Sequence, residues 1–168
     1  MKTDFAILAA VAATPTHPYQ VLDHLASAGI NVTRSTVYRR VDALVEEGLL
    51  RAEDGRGANG HMRRSLTLTG AGKKRLAAEV AAVLAEKPFE SPLFAVAVAA
   101  ANVCEAGVAD ALLRRRMASA ARRLTSEEQR LRAEADAPGA WSRASRERGV
   151  AHLQADIAWL QGVVRRAG

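Results

Sequence analysis

Between Thr33 and Leu50 the chain reads TRSTVYRRVDALVEEGLL, and its polar residues are of the kinds that contact nucleic acid. Arginines hold phosphates, and Ser, Thr, Tyr and Arg side chains reach phosphates and base edges. Thr33 is a good N-cap, and Val37, Val41, Leu44 and Val45 recur at helical spacing. At about 100° per residue the opposite face carries Ser35, Thr36 and Arg39, flanked by Tyr38 and Arg40. Gly48 ends the helix. The first half of the outer face holds Arg34, Arg39 and Arg40 and no acid, and Asp42, Glu46 and Glu47 come after. The helix dipole favours the reverse order, so another demand sets it, and reading DNA with the N-terminal end of a helix is such a demand. On this helix alone, a solvated charged face explains the residues equally well.

The flanking segments decide what the helix belongs to. A first helix is expected over about 4–13, with Phe5, Leu8, Val11 and Ala12 on one face, stopping at Thr14-Pro15. Thr16 should cap a second helix with Pro18 in its first turn, Tyr19, Leu22 and Leu25 inside, Val21 beside them, and Gly29 at its end. After Gly48, Leu49–Glu53 reads as a short strand, Asp54–Gly60 as a turn cluster, and Met62–Thr69 as a strand with Leu66 and Leu68 alternating with polar residues. A helix follows over about 71–85. Three helices, a hairpin and a helix form a winged helix-turn-helix. In it the third helix enters the major groove, and a basic wing tip with Arg56, His61, Arg63 and Arg64 lies on the backbone or a minor groove. Gly55–Gly60 matches G-x-G-x-x-G, but a strand follows it where a dinucleotide site requires a helix, so that reading is rejected.

Residues 5–87 resemble the DNA-binding domain of the PadR family of bacterial transcriptional regulators. Pro15-Thr16-His17-Pro18-Tyr19-Gln20-Val21 resembles that family's P-x-H-G-Y-E-I run. Ser35-Thr36-Val37-Tyr38, followed by Leu44–Leu50, resembles its S-x-x-Y and L-E-x-x-G-L-I pattern. Leu68-Thr69-Gly70-Ala71-Gly72 resembles its L-T-x-x-G passage from wing to helix. Two departures stand out: Pro18 where the family usually has Gly, and Ser65-Leu66 where it has an aromatic pair. The resemblance implies a dimeric, ligand- or stress-responsive regulator, often a repressor, and it implies that His17 caps or packs at the second helix.

Lys87-Pro88 to Pro92 reads as a linker, and Leu93–Cys104 is apolar nearly all round, as a buried helix would be. Two long helices are expected, about 108–135 and 140–166, separated at Pro138-Gly139. Leu113, Met117, Ala120, Leu124 and Leu131 in the first, with Glu127 breaking the series, and Val150, Leu153, Ile157, Leu160 and Val164 in the second, recur three and four apart as in a coiled-coil seam. A seam closed within one chain is the plainer alternative. A homodimer is expected through Leu113, Met117, Leu124, Val150, Leu153, Ile157, Leu160 and Val164, because a two-fold dimer doubles the contacts and matches palindromic half-sites roughly 34 Å apart. The PadR resemblance extends here more loosely, to a C-terminal helical dimerisation domain that ends in a helix like His152–Leu160. The Arg114–Arg116 and Arg122-Arg123 runs read as the solvated side of such a helix.

The 168 residues suit one domain plus an extension, or two small domains, and a 49% apolar fraction with few aromatics favours packed helices. A net charge of +6 and a pI near 10.2 suit a polyanionic partner. Residues 1–90 carry 12 basic and 10 acidic side chains, against 12 and 8 in the rest, so local placement and not net charge marks the DNA-binding half. Cys104 is the only cysteine, which excludes an internal disulfide, fits a reducing compartment, and suits a buried core position. Phe5–Ala13 is better read as a buried helix than as a secretion signal, since Asp4 precedes it, and Leu93–Val103 is far short of the roughly 20 residues a membrane span needs. His17, His24, His61 and His152 form no metal-ligand spacing, and no nucleophile elbow or phosphate loop occurs.

The expectation is therefore a mainly α protein, with a winged helix-turn-helix over residues 1–87 and a helical dimerisation and effector domain over 88–168. Its function is DNA-binding regulation in the cytoplasm, without enzymatic activity, metal, cofactor or membrane. Ser35, Thr36, Tyr38 and Arg39 would face bases or nearby phosphates, and Arg34, Arg40, Arg56, Arg63 and Arg64 would hold phosphates. The partners are double-stranded DNA, a second copy of the chain, and an unidentified small-molecule effector. The alternative is a winged helix that docks a protein partner and does not touch DNA.

Overall fold

The computed structural model describes residues 2–13, 16–56, 62–133 and 139–167, with all their side chains except those of residues 56, 62, 63 and 167. The expected stop at Thr14-Pro15, the wing tip at 57–61 with its His61, the end of the long helix at Ala135 and Pro138 lie outside the described residues.

Helix α1 (Lys2–Ala13) is the centre of the first half. Phe5, Leu8 and Val11 are buried as expected, and so are Ala6, Ile7 and Ala9. Helices α2 (Pro18–Ser27), α3 (Arg34–Glu46) and a later pair, α4 (Gly70–Glu86) and α5 (Pro92–Ala99), all pack on it. In α2 the buried stripe is Pro18, Val21 and Leu25. Tyr19, expected inside, is 47% exposed, because it stands about 100° off that stripe. Its ring stacks on His17 instead, with centroids 5.9 Å apart.

The cap of α2 is His17, as the family resemblance implied, and not Thr16; the His17 N–H donates to Gln20 Oε1 at 3.2 Å. Thr16 turns back to the wing: its carbonyl accepts from the Leu66 N–H at 2.8 Å, and its hydroxyl donates to Gln20 Oε1 at 3.0 Å. That leaves Thr16 buried with its polar groups satisfied.

Strands β1 (Leu50–Arg56) and β2 (Met62–Leu68) form the antiparallel wing, with Leu50 opposite Leu68, Ala52 opposite Leu66 and Asp54 opposite Arg64. The first strand outruns the Glu53 end read from its residue types. Asp54, Gly55 and Arg56 continue the ladder opposite Arg64, Arg63 and Met62 whatever their side chains prefer. Leu66, where the PadR pattern has an aromatic, is fully buried.

The passage from wing to α4 is tightly built. Gly48 ends α3 with φ +70°, a left-handed conformation that suits glycine. The Thr69 N–H donates to the Leu49 carbonyl at 3.1 Å, and the Thr69 hydroxyl donates to the Gly48 carbonyl at 2.7 Å. The same hydroxyl accepts from the Gly72 N–H at 3.0 Å, which caps α4. Gly72 lies so close that a Cβ on it would sit 2.0 Å from the Leu49 carbonyl oxygen.

Helix α5 buries Leu93, Phe94 and Ala97 against α1 and α4, and the Phe89 and Phe94 rings meet edge to face at 5.0 Å. After a short 3-10 turn (Ala101–Val103), the half-buried Cys104 thiol points to the Ala77 carbonyl at 3.7 Å. Burial pushes that thiol up, which disfavours the reactive thiolate.

The chain divides into two compact units, Met1–Ala109 and Asp110–Gly168. Helix α5, read from the sequence as part of the C-terminal half, therefore belongs to the first unit, because its apolar surface is covered by α1 and α4. The second unit comprises most of α6 (Val108–Ala133) and α7 (Ala140–Ala167). Gln154 Nε2 donates to Glu128 Oε1 at 3.3 Å between these helices. Ion pairs one turn apart, Arg114 with Asp110 and Arg143 with Glu147, line their surfaces. No helix among the described residues is long and apolar enough to cross a membrane.

One ion pair ties α1 to α3. Arg40 Nε donates to Asp4 Oδ1 at 2.6 Å, with the Asp4 side chain only 14% exposed. Burial alone would push the Asp4 carboxyl up. The Arg40 hydrogen bond, with the positive charge around it, outweighs that and holds the group below the usual carboxylate range. A depressed folded-state pKa means that this stabilisation is complete above the unfolded value and is lost as pH falls through the folded one.

Two stability measurements follow. Gly72→Ala should lower the free energy of unfolding in denaturant by about 1–3 kcal/mol, since backbone at Leu49 must move to admit the methyl group. Gly70→Ala, with nothing within 4 Å of its Cβ, should be neutral or mildly stabilising. Asp4→Asn should cost about 1 kcal/mol at neutral pH. Its difference from wild type should shrink once the pH falls below about 4, near the ordinary Asp value of 3.8.

Candidate nucleic-acid interface

Helix α3 presents its N-terminal turns to solvent. Val37, Val41 and Leu44 are buried, which turns Ser35 and Arg39 outward and leaves Thr36 and Tyr38 half exposed at the sides. Thr33 caps the helix by accepting from the Thr36 N–H at 3.3 Å. Its hydroxyl also lies 3.1 Å from Ser35 Oγ and 2.9 Å from Thr36 Oγ1. Three hydroxyls are thus gathered at the positive end of the helix dipole, where an anion is favoured.

The three arginines of α3 have different surroundings. Arg39 is exposed and makes no hydrogen bond or ion pair among the described residues. Arg34 reaches back over the Tyr38 ring, 5.3 Å from its centroid, and Nη2 donates to the Tyr38 hydroxyl at 3.4 Å. Stacking of this kind orders the guanidinium without discharging it. Arg40 is turned away from this group, to Asp4. Its expected role is to hold a phosphate; in the structure its guanidinium is paired with Asp4, which ties α3 to α1.

In the wing, Arg64 Nη1 donates to Asp42 Oδ1 of α3 at 2.5 Å. The Arg64 carbonyl accepts from His17 Nδ1 at 2.9 Å, and since a carbonyl can only accept, that nitrogen carries a hydrogen. The backbones of Arg56 and Arg63 lie in β1 and β2, and their side chains lie outside the described residues. The structure therefore groups Arg34, Ser35, Thr36, Tyr38 and Arg39 on one helix end, and joins Arg64 to the same helix lower down through Asp42.

Asp4 and Asp42 escaped the sequence reading as positioning groups. They meet their partners across 36 and 22 residues respectively, and no local pattern signals such pairs.

In the second unit, Leu113, Leu153, Leu160 and Val164 are buried within the chain itself. Met117, Leu124, Val150 and Ile157 are half buried. Trp141 is 88% exposed and Trp159 40%.

Residues 7–78 match the Transcriptional regulator PadR-like family. No curated protein matches the chain. Among solved structures, it is similar to Bacillus subtilis PadR in complex with operator DNA, at 12% identity and a TM-score of 0.45, over 98% of each chain. It is similar to smu.1604c from Streptococcus mutans UA159, at 16% identity and a TM-score of 0.45, over 98% of this chain and 99% of that one. It is also similar to Bacillus subtilis PadR in complex with p-coumaric acid, at 14% identity and a TM-score of 0.41, over 99% of each. The matched segment runs from α1 into α4 and contains the Pro15–Val21, Ser35–Leu50 and Leu68–Gly72 motifs in order. The family is one of transcriptional regulators and not of enzymes. It is this winged-helix segment, 72 of the 168 residues, that matches the PadR-like family of transcriptional regulators.

Proposed function

We propose that this protein is a repressor that binds a palindromic operator as a homodimer in the cytoplasm and is released or retained by a small-molecule effector. The observation that carries the reading is the exposed N-terminal face of α3, where Ser35 and the unengaged Arg39 stand beside the ordered Arg34–Tyr38 pair. Arg39 is suited to base edges or a nearby phosphate, with Ser35, Thr36 and Tyr38 around it. Arg34 is suited to a phosphate, and Arg56, Arg63 and Arg64 of the wing add affinity more than sequence information.

Residues 1–87 would serve as the DNA-binding part and residues 88–168 as the dimerisation and effector part. Four residues of the expected seam are already covered within the chain. A second copy would therefore rest on the half-buried Met117, Leu124, Val150 and Ile157 and on the exposed tryptophans. An effector is supported by an apolar cleft of about 360 Å³ where α5, of residues 88–168, meets α1 and α2, walled mainly by alanines with His24, Ser27 and Asn102 as polar groups. That volume falls within the range of small-molecule sites.

Fluorescence anisotropy of the chain against fragments of its own upstream region, over a salt series, tests the reading. One fragment should bind tightly, with affinity falling steeply as salt rises. Arg39→Ala should cost about 1–3 kcal/mol on that fragment if it reads a base, and should lower the salt slope by about 0.9 if it holds a phosphate. Uniformly absent binding at low salt would defeat direct DNA recognition and favour a protein partner. For the dimer, sedimentation should give twice the chain mass, and Ile157→Glu should yield monomers that keep their helical circular dichroism. A wild-type monomer would defeat that part.

A further inference from the structure

The pair formed by Arg64 and Asp42 joins the wing to the reading helix, and its placement has a consequence for DNA binding. Asp42 lies on the outer face of α3, two turns beyond Ser35 and about one beyond Arg39, so it borders the surface assigned to DNA. Its carboxylate repels phosphates. The Arg64 backbone is pinned in β2, opposite Asp54 in the strand register and with its carbonyl held by His17 Nδ1. Only the side chain is free to move. Arg64 and Asp42 are 36% and 53% exposed, and an ion pair this exposed is screened and weak, so exchange of partners is easy. A duplex phosphate competes well for the guanidinium, because its neutralisation also releases a condensed counterion.

We propose that Asp42 holds Arg64 in the free protein as a removable clasp, and that Arg64 exchanges this carboxylate for a DNA phosphate when the duplex docks. Asp42 thereby lowers affinity while keeping the wing in place against α3. The inference rests on the DNA-binding reading above and assigns Asp42 as a positioning residue within it.

The test is anisotropy of the full chain on a duplex from its upstream region and on an unrelated duplex of equal length, each over a salt series. Wild type, Asp42→Asn, Arg64→Gln, the double variant and Arg64→Lys are compared, with thermal melts to verify folding. Arg64→Gln should reduce the salt slope by about 0.9 on both duplexes, as loss of one phosphate contact requires, and Arg64→Lys should retain it. Asp42→Asn should tighten binding about two- to five-fold, the equivalent of one exposed ion pair, and this gain should largely vanish in the Arg64→Gln background. A slope unchanged in Arg64→Gln means that Arg64 stays with Asp42 in the complex and overturns the clasp. An equal gain in both backgrounds shows that Asp42 acts by its charge alone and overturns it too. Absence of wild-type binding to either duplex at low salt would instead defeat the DNA-binding reading, and the clasp with it.

Discussion

The winged helix depends on one close backbone approach, that of Gly72 to the Leu49 carbonyl. Four elements meet there: the end of α3, the first residue of β1, the last of β2 and the first turn of α4. Thr69, next after β2, ties the residues that follow α3 to the start of α4 by donating to the carbonyls of Gly48 and Leu49 and accepting from the Gly72 amide. Because helix and loop touch backbone to backbone, no side chain larger than hydrogen fits at Gly72. The wing is thereby anchored at its base to the helix that it must accompany. The bridge between Thr16 and Leu66 fastens its other strand to the start of α2.

That anchoring explains how a short hairpin can present charge in register with a helix. A two-stranded ribbon alone is marginal in water. Here Leu50 and Leu66 are buried, and polar ties run from the wing to α2 through His17 and to α3 through Asp42. The order of charges along α3, bases before acids, runs against the helix dipole. Each early arginine has a separate use: Arg40 is neutralised by Asp4, Arg34 is stacked on Tyr38, and Arg39 is left to solvent.

Much of this was legible in the chain. The helical repeats of apolar residues, the Thr33 cap, Gly48 and the alternation about Leu66 identify a winged helix because each is a local property. The PadR motifs lie where packing is tight, and Gly72 is the clearest case. Tyr19 was misread because one aromatic at the edge of an apolar stripe does not reveal which side is inward until its neighbours are placed. Thr16 was misread as a cap because a hydroxyl beside a proline suits both a cap and a strand bridge, and only the position of Leu66 decides. The packing of α5 on α1 and α4 was not legible, because an apolar helix does not state which partners cover it.

The sequence by itself determined the order of the elements, the buried face of α3 and the residue types on its outer face, all consequences of periodicity and local backbone preference. Only the tertiary structure decided which arginines are engaged. Arg40 and Arg39 are neighbours in the chain and identical in chemistry. One meets Asp4, across 36 residues, and the other meets none of the described residues. An ion pair depends on distances of a few ångströms between segments far apart in the chain, and those distances exist only once the helices have packed on α1.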